Sequence, residues 1–277
     1  MTYREAVACG EQRLKESGIS DAKTDAWLLL ANVCGIDRNF YYKNMNEAMA
    51  DEDILQYEIL LKKRKSRIPL QYLTGEQDFC GLSFLVSPDV LIPRFDTEIL
   101  VLEAEKLLKP EMEALDLCTG SGCIAITLKK SVPGIFVAAS DISLPALRIA
   151  KENAKRNGAI VRFVESDLFL KIDGRFDVIV SNPPYIPTGE IASLMPEVRD
   201  FEPKLALDGK EDGLSFYRTI ISESRQYLKP NGFLLLEIGC GQGAAVSALM
   251  EQAGYREVEI IKDLAGLDRV VKGGNYV

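Results

Sequence analysis

The sequence predicts an α/β protein whose mostly parallel sheet is preceded by a small bundle of helices, and three observations point there. From about residue 94 onward, apolar strand-like runs alternate with helical segments. Residues 2 to about 66 read as helices with no strand signal among them, and a short β-prone stretch separates the two regions. A chain of 277 residues has room for one large and one small domain. The expected divisions are 1–75 for a helical, partner-recognising domain, 76–92 for a hairpin linker and 93–277 for the α/β domain.

In the helical part, Ala26, Leu28, Leu29, Leu30 and Val33 cluster in a segment that begins near Asp21. Ile54, Leu55, Ile59, Leu60 and Leu61 recur in another that starts near Asp51 or Asp53. The run Lys62, Lys63, Arg64, Lys65 and Arg67 closes it. A solvated helix C-terminus favoured by the macrodipole is one reading of that run, and a contact surface for an acidic partner is the other. Short β-prone runs around Gly81 and Pro88 suit a hairpin. Strands are then expected at 114–118, 135–139, 160–164, 176–181, 232–238 and 257–261, with helices at 122–131, 144–157, 213–228 and 242–253. Such alternation gives a sheet covered on both faces. The run 268–272 follows its predecessor without a helix between them, so it is expected to be antiparallel, at or near the sheet edge.

The 47% hydrophobic and 27% charged content is that of a soluble globular protein. No apolar run approaches the roughly 20 residues that cross a bilayer, and the first residues, MTYREAVACGEQRLKESG, lack the apolar centre of a secretory signal. The expected compartment is the cytoplasm. A net charge of -8 and a pI of about 4.9 turn the expectation away from duplex DNA, whose phosphates need a basic footprint. The six cysteines form no C-x-x-C pair and are expected to be reduced, mostly buried thiols. No metal is expected, because without histidine a zinc site would need cysteines or carboxylates alone. The lack of histidine also removes Ser–His–Asp and Cys–His catalysis.

After the first strand of the α/β part comes Asp116-Leu117-Cys118-Thr119-Gly120-Ser121-Gly122-Cys123-Ile124-Ala125. Gly120 and Gly122 stand where the chain must turn sharply into a helix while a ligand approaches its backbone. Asp141 ends the second strand, 19 residues past Gly122, where a carboxylate can accept hydrogen bonds from ribose hydroxyls. The same spacing satisfies the dinucleotide pattern G-x-G-x-x-G/A, so the loop alone leaves a methyltransferase and a nicotinamide dehydrogenase equally open. A later cluster, Gly239-Cys240-Gly241-Gln242-Gly243, has no acid at the matching distance and reads as a structural turn.

The segment that discriminates is Asn182-Pro183-Pro184-Tyr185, directly after the strand Phe176–Ser181. In open α/β sheets the ligand sits at the carboxyl ends of the strands, so this tetrapeptide faces the same crevice as the glycine loop. Its prolines make it stiff and remove two N–H donors. An amide or exocyclic amine nitrogen is a poor nucleophile because its lone pair is delocalised. Methylating it requires acceptors for its hydrogens that also face the positive charge developing in the transition state. Asn182 Oδ1 and the Pro183 carbonyl supply two such acceptors, and Tyr185 offers an aromatic wall to a planar group. The combination points to a Rossmann-like, class I S-adenosylmethionine-dependent methyltransferase acting on a planar nitrogen.

Asn182-Pro183-Pro184-Tyr185 in this position resembles the amino-methyltransferases, which include the DNA adenine-N6 and protein glutamine-N5 enzymes. Further segments resemble signatures of the bacterial peptide chain release factor glutamine methyltransferases. These are Pro69-Leu70-Gln71-Tyr72-Leu73-Thr74-Gly75, Val90-Leu91-Ile92-Pro93-Arg94-Phe95-Asp96-Thr97-Glu98, Glu202-Pro203 through Ala206-Leu207, Asp212-Gly213-Leu214 and Asp268-Arg269-Val270-Val271. The resemblance spans essentially the whole chain. It implies methyl transfer from S-adenosylmethionine, leaving S-adenosylhomocysteine, to the glutamine side-chain amide of the Gly-Gly-Gln loop of class I release factors. It implies cofactor contacts at Cys118, Thr119, Gly120, Ser121, Gly122, Asp141, Asp167, Leu168 and Asn182. Asn182, Pro183, Pro184 and Tyr185 would hold the glutamine, with Asn182, Pro183 and Tyr185 catalytic, and the helical domain would dock the release factor. Two positions depart from the family pattern: Phe95 replaces a proline, and Leu168 stands where some members carry an aromatic residue.

A DNA adenine methyltransferase shares the loop, the acid and the tetrapeptide but would need a basic channel and a recognition domain for its flipped base. A ribosomal protein glutamine methyltransferase would use the same chemistry. Hydride transfer has no use for Asn182 to Tyr185.

Overall fold

The structure, a computed structural model, describes residues 1–276. The chain forms two compact units, one of Met1–Glu76 with Met195–Phe201, the other of Gln77–Leu194 with the residues from Glu202 onward.

The first unit holds helices α1 (Tyr3–Glu16), α2 (Ala22–Cys34), α3 (Arg38–Asn44), α4 (Asp51–Lys65) and α5 (Leu70–Thr74). α1 starts with a capping box: the Thr2 hydroxyl accepts from Glu5 N while the Glu5 carboxylate accepts from Thr2 N. Its core gathers Ala6, Leu14, Ala26, Leu29, Leu30, Tyr57 and Leu61. The Tyr57 hydroxyl lies 3.1 Å from the Ala26 carbonyl and 3.3 Å from that of Ala6. Gly10 makes this approach possible, since a Cβ there would stand 2.1 Å from that hydroxyl. The apolar cluster expected in α4 does not match its inner face, because Leu55 and Ile59 are exposed. The buried stripe is Tyr57, Leu61 and Arg64, an i, i+4, i+7 row that includes a charge. Arg64 is therefore no part of a solvated terminus. It donates to Asp25 at 2.7 Å and to Glu197 at 3.0 Å, and Arg67 reaches Glu197 at 3.1 Å. Lys62, Lys63 and Lys65 are exposed. The ion pairs tie Met195–Phe201 to the bundle, a linkage in which loss of one partner would strand a buried charge.

The second unit begins with the hairpin β1 (Glu76–Phe79) and β2 (Leu82–Leu85). Phe79 and Phe84 are buried in this unit's core, so the hairpin packs as part of it. Then follow α6 (Glu98–Glu105), β3 (Glu113–Leu117), α7 (Cys123–Ser131), β4 (Phe136–Asp141), α8 (Leu144–Arg156), β5 (Arg162–Glu165) and β6 (Phe176–Ser181). After α9 (Pro196–Phe201), which belongs to the first unit, come α10 (Lys204–Leu207), α11 (Ser215–Tyr227), β7 (Leu228–Glu237), α12 (Gly243–Gln252), β8 (Arg256–Lys262) and β9 (Asp268–Asn275). The seven strands run in the order β5-β4-β3-β6-β7-β9-β8. Pairing is parallel from β5 to β7, and β9 is antiparallel to both its neighbours. It lies one strand in from the edge, which β8 forms.

Buried strand residues alternate between two cores. Ala114, Val178, Val180 and Leu235 face α6 and α7, while Leu115, Leu117, Ile179, Leu234 and Leu236 face α11 and α12. Strand order reverses between β3 and β6, whose ends Leu117 and Ser181 are in register, with the Ser181 hydroxyl donating to the Leu117 carbonyl at 2.8 Å. Cys118 and Asn182 therefore leave the sheet side by side at its topological switch point. The cysteines are less buried than expected: Cys123 is buried, Cys9 and Cys240 are exposed and the other three are intermediate. Among the described residues no helix is long and apolar enough to cross a membrane.

Candidate active site

A cavity of about 320 Å³ opens at the switch point, within the size range of small-molecule sites. Of the residues expected from sequence, Cys118, Gly120, Asp141, Asp167, Leu168, Asn182 and Pro184 line it. The remaining five, Thr119, Ser121, Gly122, Pro183 and Tyr185, are not on its wall. The Thr119 hydroxyl turns inward to Asp116 Oδ2 at 2.6 Å. The Ser121 carbonyl accepts from Asn153, and Gly122 caps α7 with φ +81.

The glycine loop is held from below by two carboxylates. Asp116 Oδ2 accepts from the Thr119 hydroxyl and from Ala125 N at 3.2 Å, while its Oδ1 is buried without a partner among the described residues. Burial pushes the Asp116 carboxyl up to about 7. Asp141 accepts from Gly120 N and Ser143 N, each at 2.9 Å, which fixes its two oxygens at the cavity mouth with lone pairs to spare. Burial raises its pKa as well. Gly120 has φ +53, and a Cβ there would meet nothing within 4 Å, so the loop leaves open space on its cavity side. Leu168, with φ +45, Ile142 and Phe216 add apolar surface. An acid with bound N–H groups, an apolar wall and an open glycine loop suit the ribose, base and amino-acid ends of a nucleoside–amino acid cofactor.

The other side of the crevice is the tetrapeptide. Asn182 Nδ2 donates to the Thr97 hydroxyl at 3.3 Å. Tyr185 is clamped by groups far away in the chain. Its carbonyl accepts from Gln242 Nε2 at 2.9 Å, and Gln242 Oε1 accepts in turn from Gly239 N at 2.9 Å. The glycine cluster read as a turn thus folds onto Tyr185. Gly213, at φ +73, would place a Cβ 2.4 Å from the Tyr185 carbonyl oxygen, and Gly209 would place one 2.8 Å from Tyr185 Cα. The segment 204–213 is also laced to the tetrapeptide's continuation by Ile186 N to the Leu207 carbonyl (3.0 Å) and Gly209 N to the Ile186 carbonyl (2.8 Å). Burial pushes the Tyr185 phenol up to about 12, so it is neutral and a donor at physiological pH.

Sequence reasoning gave no role to Asp89, Leu91, Leu205 or Lys210 on the cavity wall, nor to Glu237 and Gln242 behind it. Leu91 and Leu205 belonged to segments that carry the family resemblance, which was a usable signal. Arg94, from the segment that holds Leu91, pairs with buried Glu202, which also accepts from Ile92 N at 3.3 Å. Phe95, in the position that departs from the family pattern, opens a short 3-10 turn, Phe95–Thr97, with its ring exposed.

Two family profiles match the chain: PrmC N-terminal domain over residues 5–75 and methyltransferase small domain over 94–195. A release factor glutamine methyltransferase of Geobacter sulfurreducens is 42% identical over 98% of this chain and 96% of the relative. Its namesake from Cereibacter sphaeroides is 41% identical over 98% of both chains. A solved methyltransferase from Pyrococcus furiosus matches 78% of this chain and 100% of its own with a TM-score of 0.57 at 22% identity, a likeness of fold. With its site geometry, domain profiles and full-length relatives in agreement, the chain belongs to the release factor glutamine methyltransferase family, and it is an enzyme.

Proposed function

We propose that this protein methylates the side-chain amide nitrogen (N5) of the glutamine in the Gly-Gly-Gln loop of class I peptide chain release factors, using S-adenosylmethionine, in the cytoplasm. The observation that carries the reading is the placement of Asn182 and Pro184 on the same cavity as Gly120 and Asp141. It joins an acceptor-rich tetrapeptide to a cofactor-sized pocket.

Asp141 would hold the ribose hydroxyls, Leu168 and Ile142 the adenine, and the Cys118–Gly122 turn the amino-acid end. S-adenosylmethionine supplies an electrophilic methyl on a positively charged sulfur. The work of the protein is to aim the nucleophile. Asn182 Nδ2 is committed to Thr97, which leaves Oδ1 to accept from the glutamine amide. The Pro183 carbonyl is the second acceptor. Both oxygens face a nitrogen that gains positive charge as the N–C bond forms, and preorganised oxygens stabilise that charge without reorganising. Tyr185, next to Pro184 but off the cavity wall, would flank the planar group. The proton left on the charged amide nitrogen is acidic enough to pass to water, so histidine is not missed. Holding nucleophile and methyl in line accounts for much of the acceleration, about 7–11 kcal/mol where geometry is good. The helical unit, matched by the PrmC N-terminal profile, is the candidate docking surface for the release factor.

The test offers methyl-labelled S-adenosylmethionine with a class I release factor, a ribosomal protein fraction and duplex DNA in separate reactions. Label is expected on the release factor and absent when its Gly-Gly-Gln glutamine is changed to alanine. Label on DNA alone, or on ribosomal protein alone, would overturn the reading.

A further inference from the structure

Gln242 occupies the N-cap of α12, yet its side chain makes no capping hydrogen bond. Serine, threonine or aspartate would serve that helix end better. The longer side chain reaches elsewhere: Gln242 Nε2 donates to the Tyr185 carbonyl at 2.9 Å and to the Gly213 carbonyl at 3.3 Å, while Oε1 accepts from Gly239 N at 2.9 Å. Two carbonyls face its nitrogen and an N–H faces its oxygen, so the amide has one workable orientation. The Tyr217 hydroxyl, 3.4 Å from Oε1, has its single proton engaged by the Glu237 carbonyl at 2.8 Å. Three glycines keep the space around this contact empty. A Cβ on Gly213 would stand 2.4 Å from the Tyr185 carbonyl oxygen and 2.8 Å from Gln242 Nε2. One on Gly209 would stand 2.8 Å from Tyr185 Cα, and one on Gly239 3.0 Å from Gln242 Oε1.

We propose that Gln242 is a positioning residue for methyl transfer: by holding the Tyr185 carbonyl it sets how Asn182-Pro183-Pro184-Tyr185 presents its acceptors to the substrate. The inference rests on the reading of that tetrapeptide as the segment that binds the glutamine amide. The peptide group between Tyr185 and Ile186 is held at both ends, its carbonyl by Gln242 and its N–H by the Leu207 carbonyl at 3.0 Å. At the near end Ser181 lies in the sheet, in register with Leu117 and Leu236. Between these anchors the rings of Pro183 and Pro184 fix φ, so few torsions are left to turn Asn182 or the Pro183 carbonyl. Without Gln242 the far anchor keeps one of its two hydrogen bonds and the tetrapeptide can drift. A misplacement of about 1 Å at an orienting group can cost about 100-fold in rate. The cofactor side is held by Asp116 and Asp141, through bonds in which Gln242 has no part.

A carboxyl of the same shape separates this tie from mere packing. In Gln242→Glu the ionised side chain turns an oxygen on the Tyr185 and Gly213 carbonyls and repels both. Protonated, it can donate its O–H to Tyr185 while its other oxygen accepts from Gly239 N, which restores the tie. The ionisable groups around the position are Tyr185 and Tyr217, both neutral, Glu237 and Arg269 behind them, Asp268 against Gly243, and Asp212, which is paired with Arg218. Confinement among carbonyl oxygens favours the neutral carboxyl. The rate of this variant relative to wild type is therefore expected to fall as pH rises.

The experiment compares wild type, Gln242→Met, Gln242→Glu and Asn182→Ala for melting temperature, dissociation constant of S-adenosylhomocysteine, and kcat and KM with a purified class I release factor from about pH 6 to 9. Gln242→Met keeps the length of the side chain and neither hydrogen bond. It is expected to lower kcat at least about tenfold, with KM for the release factor and cofactor affinity within about threefold of wild type. Gln242→Glu is expected to be as slow as Gln242→Met at the alkaline end and to recover most of the wild-type rate at the acid end. A folded Gln242→Met that turns over at the wild-type rate, or one whose cofactor affinity falls as far as its kcat, overturns the inference. So does a Gln242→Glu whose rate relative to wild type is the same at every pH. If Gln242→Met does not fold, the Gln242→Glu profile decides. Should Asn182→Ala be fully active, the reading of the tetrapeptide fails and the inference with it. With Asn182→Ala inactive and Gln242→Met unaffected, only the role of Gln242 fails.

Discussion

Two buried carboxylates, Asp116 near the end of β3 and Glu237 at the end of β7, flank β6 and the tetrapeptide that follows it. Each keeps one oxygen without a partner among the described residues, and each is pushed up to about 7 by burial. They differ in reach. Asp116 binds Thr119 and Ala125, a few residues along the chain, and so staples the glycine loop and the start of α7 to their own strand. Glu237 has no such local partner and lies instead in the field of Arg269 and Arg94, distant in the chain. The cofactor side of the crevice is thus a local motif that folds with its own strand–turn–helix unit. The substrate side is assembled by tertiary packing, from α6, β7, the turn at Gly239 and the segment 204–213.

The largest expected effect falls on the assembled side. Asn182→Ala should lower kcat at least about 100-fold, the loss typical when one preorganised polar group is removed from a transition-state site. Cofactor affinity should change little, because Asp141 and the glycine loop are intact. Steady-state kinetics with a release factor and calorimetry with S-adenosylhomocysteine separate the two quantities. A near-normal kcat would mean that the assembled side does not orient the nucleophile, and the contrast would collapse.

The local side should show the opposite split. Asp141→Ala removes the expected ribose acceptor and strands Gly120 N and Ser143 N. Hydrogen bonds to a charged group contribute about 1.5–3 kcal/mol, so the cofactor dissociation constant should rise roughly 10- to 100-fold. At saturating cofactor kcat should recover most of its value. A kcat that stays low at saturation would show that Asp141 does more than hold the cofactor.

How much of this was readable in the sequence follows the same division. The order glycine loop, Asp141 and Asn182 to Tyr185 lies on strand ends, and continuous apolar runs such as Phe176–Ser181, buried on both faces, place strand ends well. The expected strands all form, with β7 starting earlier, at Leu228. What was not legible depends on packing between distant segments. Thr97 looked like one letter of a signature and Gln242 like part of a glycine turn. Their roles arise from contacts across the fold. The buried row in α4 was missed because its third member, Arg64, is charged and becomes a core residue only through Asp25 and Glu197. β9 is antiparallel and one strand in from the edge, within the expectation of a place at or near it, which left open which of β8 and β9 adds to β7.

Stability against pH sharpens the comparison further. Carboxyls that ionise near about 4 when unfolded but near 7 when folded leave the folded state holding more protons between those values. Stability therefore falls as pH rises from about 4 to 7 and levels off above. Asp141 and Glu202 are shifted the same way, so no single variant abolishes the slope. Urea midpoints from pH 5 to 8 should decline in wild type and decline less in both Asp116→Asn and Glu237→Gln. The cofactor dissociation constant tells the two apart: it should rise in Asp116→Asn, whose carboxylate holds the glycine loop, and stay within about twofold of wild type in Glu237→Gln. Equal cofactor affinities in the two variants would erase the distinction between the two carboxylates.

The smallest expected effect concerns strain on the local side. Cys118, at φ +59, and Leu168, at φ +45, are non-glycine residues in the left-handed region, and both line the cavity. Such backbone costs about 1–2 kcal/mol for a residue with a Cβ, so Cys118→Gly relieves it. Glycine also loosens the unfolded chain, which offsets about 0.4–1 kcal/mol of the gain, and it gives up the contacts of a thiol half-hidden in the wall. The sum should be a stabilisation below about 1 kcal/mol, read as a small rise in urea midpoint, with cofactor affinity within about threefold of wild type. Cys118→Val tests the same point in reverse, since a branched Cβ is poorly tolerated at positive φ, and it should destabilise by more than Cys118→Gly stabilises. If glycine instead weakened the protein or the valine variant matched wild type, the turn would not be strained at Cys118. The cofactor side would then owe its shape to Asp116 and Asp141 alone.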